Sequence, residues 1–352
     1  GRVAYDTTGY FTDKNLEFKL NYHHENEMDG FLKKSVEWEH VYTCSKPVAK
    51  KKQPPLPFTT STLQQKASNI LHFSPKRTMT TAQKLYEQGY ITYMRTDSRT
   101  YSKEFISTAK KFIEDKWSED YVNDNIYDLS QRNTAKKTAK KVSKKTAKKA
   151  SKKVKTDDNA QEAHEAIRPT KIIKTTLPTD VGQKRLYELI WSNTVESCMS
   201  PAEYNLLSAK ITAPEKHSYK FSTELITFPG WLTVRGYEKE NVIYDFLGQS
   251  PQNTIIPHTK ITSKMTLKDL KTHYTEARLV QQMEKVGIGR PSTFSSLVSK
   301  IQDRGYVKKG DVKGKQLKCV DFMLEGKELS EEESVRKFGE EKNKLIIEPT
   351  GI

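Results

Sequence analysis

Apolar residues change their rhythm twice along this chain. Residues 1–57 alternate, as in Leu16-Glu-Phe-Lys-Leu-Asn-Tyr22, and an extended backbone sends successive side chains to opposite faces, so the stretch reads as strands. The alternation returns over residues 204–265, which include Leu225-Ile-Thr-Phe-Pro-Gly-Trp-Leu-Thr-Val234. Between these two regions the spacing is that of helices. Short amphipathic helices are predicted over 62–73 and 80–88. Ser102 then caps a helix on which Phe105, Ala109, Phe112, Ile113 and Trp117 recur, and another carries Leu186, Leu189, Ile190 and Val195. A strand region that is interrupted and then resumed predicts an α+β multidomain chain. One β-rich domain comprises 1–57 and 204–265, with a helical domain, 58–203, inserted in it.

Past residue 265 the pattern changes again. Thr275 is the expected N-cap of a helix burying Leu279, Val280, Met283 and Val286, with Gly287 at its end. Ile288-Gly-Arg-Pro forms the turn, and a helix from Ser292 carries Phe294, Leu297, Val298 and Ile301. A strand starts at Gly305-Tyr-Val307. Helix, tight turn, helix and strand make a helix-turn-helix or winged-helix pattern, so 266–352 is expected to be part of a helical, DNA-binding domain.

A chain of 352 residues holds two or three domains of ordinary size. Its mean hydropathy is −0.77, yet 35% hydrophobic residues are enough for ordinary cores. The formal net charge of +16 favours a polyanionic partner. Eleven of those charges come from one segment, residues 134–155, which repeats a small-small-Lys-Lys unit without a single acid; the rest of the chain stands at +5. Such a run has no apolar residues for a core and reads as a disordered insertion, a DNA tether, an import signal or a passive loop. Cys44, Cys198 and Cys319 are far apart and form no Cys-x-x-Cys pair, so neither a zinc ribbon nor a disulfide scaffold is expected. No apolar run is long enough for a membrane span and no signal peptide opens the chain, which predicts a soluble, intracellular protein in a reducing compartment.

The candidate chemistry lies in Gly89-Tyr-Ile-Thr-Tyr-Met-Arg-Thr-Asp-Ser98. In an extended segment Tyr93 and Arg95 share a face. A phenol ionises near pH 10, and a fixed guanidinium beside it binds a phosphate under attack and favours the phenolate. Most of the 17 tyrosines must only pack. The Gly89 to Ser98 segment resembles the active-site segment of type IA DNA topoisomerases. Four further segments resemble motifs of that family in the same order: Pro57-Phe-Thr-Thr-Ser-Thr-Leu-Gln-Gln65, Glu162-Ala-His-Glu-Ala-Ile-Arg-Pro-Thr170, Gly287-Ile-Gly-Arg-Pro-Ser-Thr293 and Ile301-Gln-Asp-Arg-Gly-Tyr-Val307.

The resemblance implies a β-rich arch forming the side of a ring, topped by a helical, winged-helix-like domain bearing the tyrosine. It implies that Tyr93 forms a transient 5′-phosphotyrosine with single-stranded DNA and that Arg95 binds the scissile phosphate, with Thr96, Asp97 and Ser98 fixing the local backbone. His164 and Arg168, four apart and so on one face of a helix, are expected at the DNA, as are Arg290, Thr293, Arg304 and Gln83. It further implies a monomer that acts on single-stranded or negatively supercoiled DNA without ATP. Magnesium is expected in an N-terminal Toprim domain whose acidic cluster does not occur here. No zinc is expected in this fragment. Gly1 in place of methionine and the apolar run at 345–352 point to a fragment lacking that domain and cut short at its C-terminal end. Two other readings stay open. A tyrosine recombinase also uses Arg, His and Tyr, but its tyrosine follows the Arg and His, whereas Tyr93 precedes His164 and Arg168. A non-catalytic helix-turn-helix DNA-binding protein accounts for 275–307 and leaves the Tyr93 segment without a purpose.

Overall fold

The computed structural model describes residues 1–130 and 164–352, so the lysine repeat at 134–155 lies outside the described residues. Among the described residues, strands β1 (Arg2–Tyr10), β2 (Phe18–Leu20), β3 (Val41–Cys44), β4 (Val48–Lys52), β5 (Ala202–Thr212), β6 (Ser218–Phe228), β7 (Thr254–Ile255), β8 (Lys260–Lys268), β9 (Val307–Val312), β10 (Lys315–Glu325), β11 (Glu328–Phe338) and β12 (Glu341–Ile347) are interspersed with eight α-helices. The helices are α1 (Met28–Ser35), α2 (Thr60–Leu71), α3 (Pro75–Glu87), α4 (Lys103–Lys116), α5 (Val181–Ser197), α6 (Val242–Gln249), α7 (Glu276–Val286) and α8 (Phe294–Asp303). Contacts along the chain divide it into two units. One holds Gly1–Gln53, Pro201–Glu276 and Lys300–Ile352; the other holds Pro54–Ser200 and Ala277–Ser299.

The first unit is built on a ten-stranded antiparallel sheet in the order β11-β10-β8-β1-β2-β6-β5-β3-β7, with β4 also paired to β5. Its longest-range pairing sets Arg2 opposite Lys268 and Tyr10 opposite Lys260. One core runs under the sheet, with Phe11, Phe18, Phe31, Tyr219, Ile261 and Leu324 among its buried residues. Burying each such side chain is worth roughly 1.5–3 kcal/mol, which offsets the entropy of closing so distant a pair of strands.

Three details depart from the sequence reading. Residues 28–35 are a helix, not strand, and it seats Phe31 and Leu32 in that core. The run from Leu225 to Val234 leaves the sheet after Phe228, because Pro229 has no N–H for a ladder and Gly230 takes a φ of 49°. The expected helical domain at 266–352 is helical only through α8. Beyond Tyr306 the chain forms β9 to β12, with β10 and β11 extending the sheet and β9 pairing with β12 apart from it. The β10–β11 hairpin turns over Gly326-Lys327, with Gly326 at φ 60°.

The second unit is helical. Its helices start on side-chain caps: Thr59 and Thr62 form a reciprocal capping box on α2, Ser74 accepts from Arg77 N with Pro75 in the first turn of α3, and Ser102 accepts from Phe105 N as expected. Asp180 does the same for α5. Leu63, Leu85, Ile106, Ile113, Leu186 and Ile190 are among its buried core. In place of the strands of a winged-helix domain, this unit shows isolated bridges among the described residues, such as Phe58 to Ile167 and Ile91 to Pro169. Val280, Met283, Phe294 and Val298 of α7 and α8 form a separate small core. Val286, expected in it, is 55% exposed as the last residue of α7. Among the described residues, no helix is long and apolar enough to cross a membrane.

Candidate active site

Helix α3 aims the tyrosine segment. Gly89 follows its last turn at φ 75°, a backbone that side chains with a Cβ rarely adopt. Gly89 N donates to Tyr86 O and Tyr90 N to Leu85 O, the paired bonds of a Schellman turn. The chain then leaves extended, with a bridge at Ile91 rather than a full strand. Its inner side is held closely. Thr92 N donates to Arg168 O at 2.9 Å, Thr60 Oγ1 donates to Met94 O at 2.6 Å and accepts from Thr96 N at 2.8 Å, and Thr60 N donates to Thr96 O. Met94 and Thr96 are buried in consequence.

Tyr93 and Arg95 therefore fall on the other side of the segment. Tyr93 is 40% exposed, its ring edge-on to Tyr86 at 5.2 Å. Burial raises the pKa of Tyr101 and pushes that of Tyr187 up to about 12, which disfavours a phenolate at either. Arg95 Nη1 donates to Gln83 Oε1 at 3.1 Å, and Gln83 Nε2 donates to Glu87 Oε1 at 2.8 Å. Gln83 thus fixes the arginine. Behind the tyrosine, Thr96 Oγ1 accepts from Ser98 N and Ser98 Oγ from Thr100 N, so the turn expected over 96–98 is held by two hydroxyls.

The segment at 164–170 is extended, not helical. Ile167 and Pro169 bridge to Phe58 and Ile91, and the residue before a proline avoids the helical region. His164 and Arg168 consequently share no helix face; residues 162 and 163 lie outside the described residues. His164 is exposed. The Arg168 side chain is only 11% exposed and grips Glu165 through Nε at 2.9 Å and Nη2 at 2.8 Å, with Nη1 on Pro169 O. Its guanidinium lies over Phe105, and Glu165 Oε1 accepts from Ser102 N at the start of α4. These bonds tie the 164–170 segment to α4 and give Arg168 a structural employment.

The glycine motif joins α7 to α8. Gly287 at φ 78° and Gly289 at φ 80° turn the chain, and a Cβ on Gly289 would stand 3.1 Å from Phe294 and Leu297. Arg290 Nη1 donates to Gly289 O at 2.7 Å, while Thr293 Oγ1 accepts from Arg290 N at 2.8 Å. Arg290 borders a cleft of about 210 Å³ that is also lined by Thr59, Ser61, Thr96, Asp97 and Glu284. Glu284 Oε2 accepts from Ser61 Oγ at 2.5 Å. A guanidinium, backbone at a helix start and hydroxyls suit an anion, while the carboxylates of Asp97 and Glu284 oppose it.

Of the eight residues singled out in the sequence, the structure joins Arg95 to Gln83 next to Tyr93 and joins Arg290 to Thr293. Arg168 is paired with Glu165, and Arg304 belongs to the sheet unit, exposed after the end of α8. The sequence reading missed Thr60, which clamps the tyrosine segment, and Glu284. Thr60 lies inside a quoted motif, but its bond with Thr96 crosses 36 residues, beyond any local spacing rule.

A sequence profile described as DNA topoisomerase matches residues 3–332. The DNA topoisomerase 1 of Haemophilus influenzae is 35% identical over 270 residues, 73% of this chain and 27% of that protein. That of Mycolicibacterium smegmatis is 39% identical over 278 residues, again 73% of this chain and 27% of that protein. The full-length topoisomerase I of Thermotoga maritima superposes with a TM-score of 0.67 at 28% identity, over 88% of this chain and 48% of that one. The chain spans about a quarter of the length of the curated relatives it matches.

Proposed function

The chain belongs to the DNA topoisomerase family, of the type IA class, and from that premise we propose that residues 89–98 cut and rejoin a single strand of DNA. The phenol oxygen of Tyr93 attacks a backbone phosphorus. The new O–P bond forms as the bond to the 3′ oxygen breaks, and the phenol proton ends on that oxygen. The 5′ phosphate stays on Tyr93, and the reverse attack by the 3′-hydroxyl restores both partners. One phosphodiester is exchanged for another, so ATP is not needed. Arg95, steadied by Gln83, binds the non-bridging oxygens as charge builds on them. Arg290 and the start of α8 hold a neighbouring phosphate, and His164 contacts the strand.

The observation that carries this reading is an exposed tyrosine two positions before an arginine tethered by Gln83, on a segment whose other side is held by Thr60 and the Arg168 carbonyl. Magnesium does not fit the residues around Tyr93. It asks for several oxygen ligands at one point, and among the described residues no group of three His, Cys, Asp or Glu donors gathers there. On this reading the metal enters with a separate Toprim domain, and no step here runs through it.

The test is denaturant trapping on end-labelled single-stranded DNA, with this chain joined to a Toprim domain. The 3′-labelled product is expected to stay on the protein and the 5′-labelled product to be released with a free hydroxyl; Tyr93→Phe leaves no adduct. Retention of the 5′-labelled product is the recombinase outcome and would overturn the assignment, as would undiminished trapping in Tyr93→Phe.

A further inference from the structure

Two imidazoles and a carboxylate meet at the turn between β5 and β6, in the sheet unit and outside the reaction assigned to Tyr93. His24 follows β2, while Glu215 and His217 lie in the turn itself. One ligand atom from each residue lies within 4.8 Å of the other two. We propose that His24, Glu215 and His217 bind a divalent transition-metal ion, zinc by preference, with a fourth position open to water.

The donor set selects the ion. Two nitrogens and one carboxylate oxygen suit zinc and its neighbours far better than magnesium or calcium, which take oxygen. The spacing is close to what zinc needs. Tetrahedral bonds of about 2.0–2.1 Å put two donors about 3.3 Å apart, and His24 Nε2 already stands 3.2 Å from Glu215 Oε2. His217 completes the set by a small side-chain movement.

The ligands are also held in place. His24 O accepts from Tyr5 N on β1 at 2.8 Å, and His217 O accepts from Ala213 N at 3.0 Å across the turn. Glu215 and Lys216 take φ values of 61° and 62°, consecutive left-handed residues that bring the carboxylate and His217 to the same side as His24. The Tyr22 ring stacks on His217 at 4.5 Å and 7°, and Phe31 packs against His24 at 4.6 Å. An apolar shell around polar donors is what a metal site requires.

A bland reading makes this a hydrogen-bonded cluster: Lys34 Nζ holds Glu215 Oε1 at 3.0 Å, and the other oxygen faces His24. One observation favours the ion: Lys34 occupies only Oε1 and leaves Oε2, the oxygen that faces His24 Nε2, for a metal.

The test is titration of the metal-free 352-residue chain with Zn²⁺ against a chromophoric chelator, and with Co²⁺ by visible absorption. One saturable ion per chain is expected, with the intense bands of tetrahedral cobalt. His217→Ala and Glu215→Gln are each expected to weaken zinc by at least about tenfold. His273→Ala, whose Nδ1 pairs with Glu341 elsewhere in the unit, leaves it unchanged. Because His24→Ala risks the core, the half-buried His217 and the exposed Glu215 carry the test, and circular dichroism in chelator checks that both variants fold. Absence of saturable binding, or equal binding in the parent and both folded variants, would overturn the site.

Discussion

Helices α3 and α7 end alike and release the chain into two different devices. Gly89 and Gly287 take nearly the same φ, 75° and 78°, and each is followed by an amide that reaches back to the last turn, Tyr90 N to Leu85 O and Ile288 N to Met283 O. A Cβ at either glycine would meet nothing within 4 Å. The difference lies downstream. After Gly89 no second glycine follows, and Thr60 and the Arg168 carbonyl hold the inner edge of an extended segment. After Gly287 a second glycine, packed on Phe294 and Leu297, folds the chain back into α8, and the Arg290 guanidinium rests on its own turn carbonyl. A helix end sets where the chain leaves, and the partners that wait for it decide what it presents. The segment held from behind presents a nucleophile; the one that closes on itself presents a lining for an anion.

Variants at the two turns separate these roles. Arg95→Ala in the chain joined to a Toprim domain is expected to slow cleavage by about 10²–10³-fold, the usual cost of removing one donor to a developing oxyanion. Arg290→Ala is expected to weaken DNA binding with a smaller effect on the cleavage step, because it grips a neighbouring phosphate. Pre-steady-state cleavage at saturating DNA distinguishes the two; equal loss of the cleavage rate would merge the devices into one. Gly289→Ala is expected to destabilise by about 2 kcal/mol, since the left-handed penalty of roughly 1–2 kcal/mol is joined by its crowding against Phe294 and Leu297. Gly89→Ala and Gly287→Ala carry the conformational penalty alone, about 1 kcal/mol each. Urea midpoints of the helical unit, followed by the amide resonances of that unit, rank the three.

The smallest expected effect belongs to the sheet unit and to pH. Burial holds the pKa of His40 below its ordinary value; a hydrogen bond with Thr212 O opposes this and the nearby His258 adds to it. The folded pKa is then lower than that of the unfolded chain, near 6.5, and the native state binds fewer protons. Stability from this group is complete above about pH 6.5 and is lost as pH falls below it toward the folded pKa. The urea midpoint of the sheet unit should fall from pH 7 to pH 5, and His40→Gln should flatten that slope. A slope unchanged in the variant would assign the effect to other groups.

The parts of this fold that were legible in the sequence are those written in local chemistry. Ser102 caps α4 as its spacing required, Gly89 and Gly287 end helices, and Tyr93 with Arg95 share the outer side of their segment. What escaped depends on distance along the chain. Strand β9 was expected from Gly305-Tyr-Val307, but β10 to β12 were hidden because their half-buried faces carry many charges, although Gly326-Lys327 between two alternating runs was a usable hairpin signal. The expected helix face of His164 and Arg168 overlooked Pro169. The His24 cluster could not be read at all, since only the pairing of β2 with β6 brings Tyr22-His-His24 to Glu215-Lys-His217. A zinc expectation drawn from cysteine spacing looks for a different donor set.

The central claim is an ester between one phenol oxygen and the 5′ phosphate of a broken strand. The most direct measurement is mass spectrometry of the trapped complex after nuclease and protease digestion. The expected result is a single modified peptide whose mass increment is a nucleotide joined through its 5′ phosphate, with the fragment ions placing it on Tyr93. A nucleotide joined through its 3′ phosphate, or one carried by Tyr86, Tyr90 or any other residue, would contradict the account.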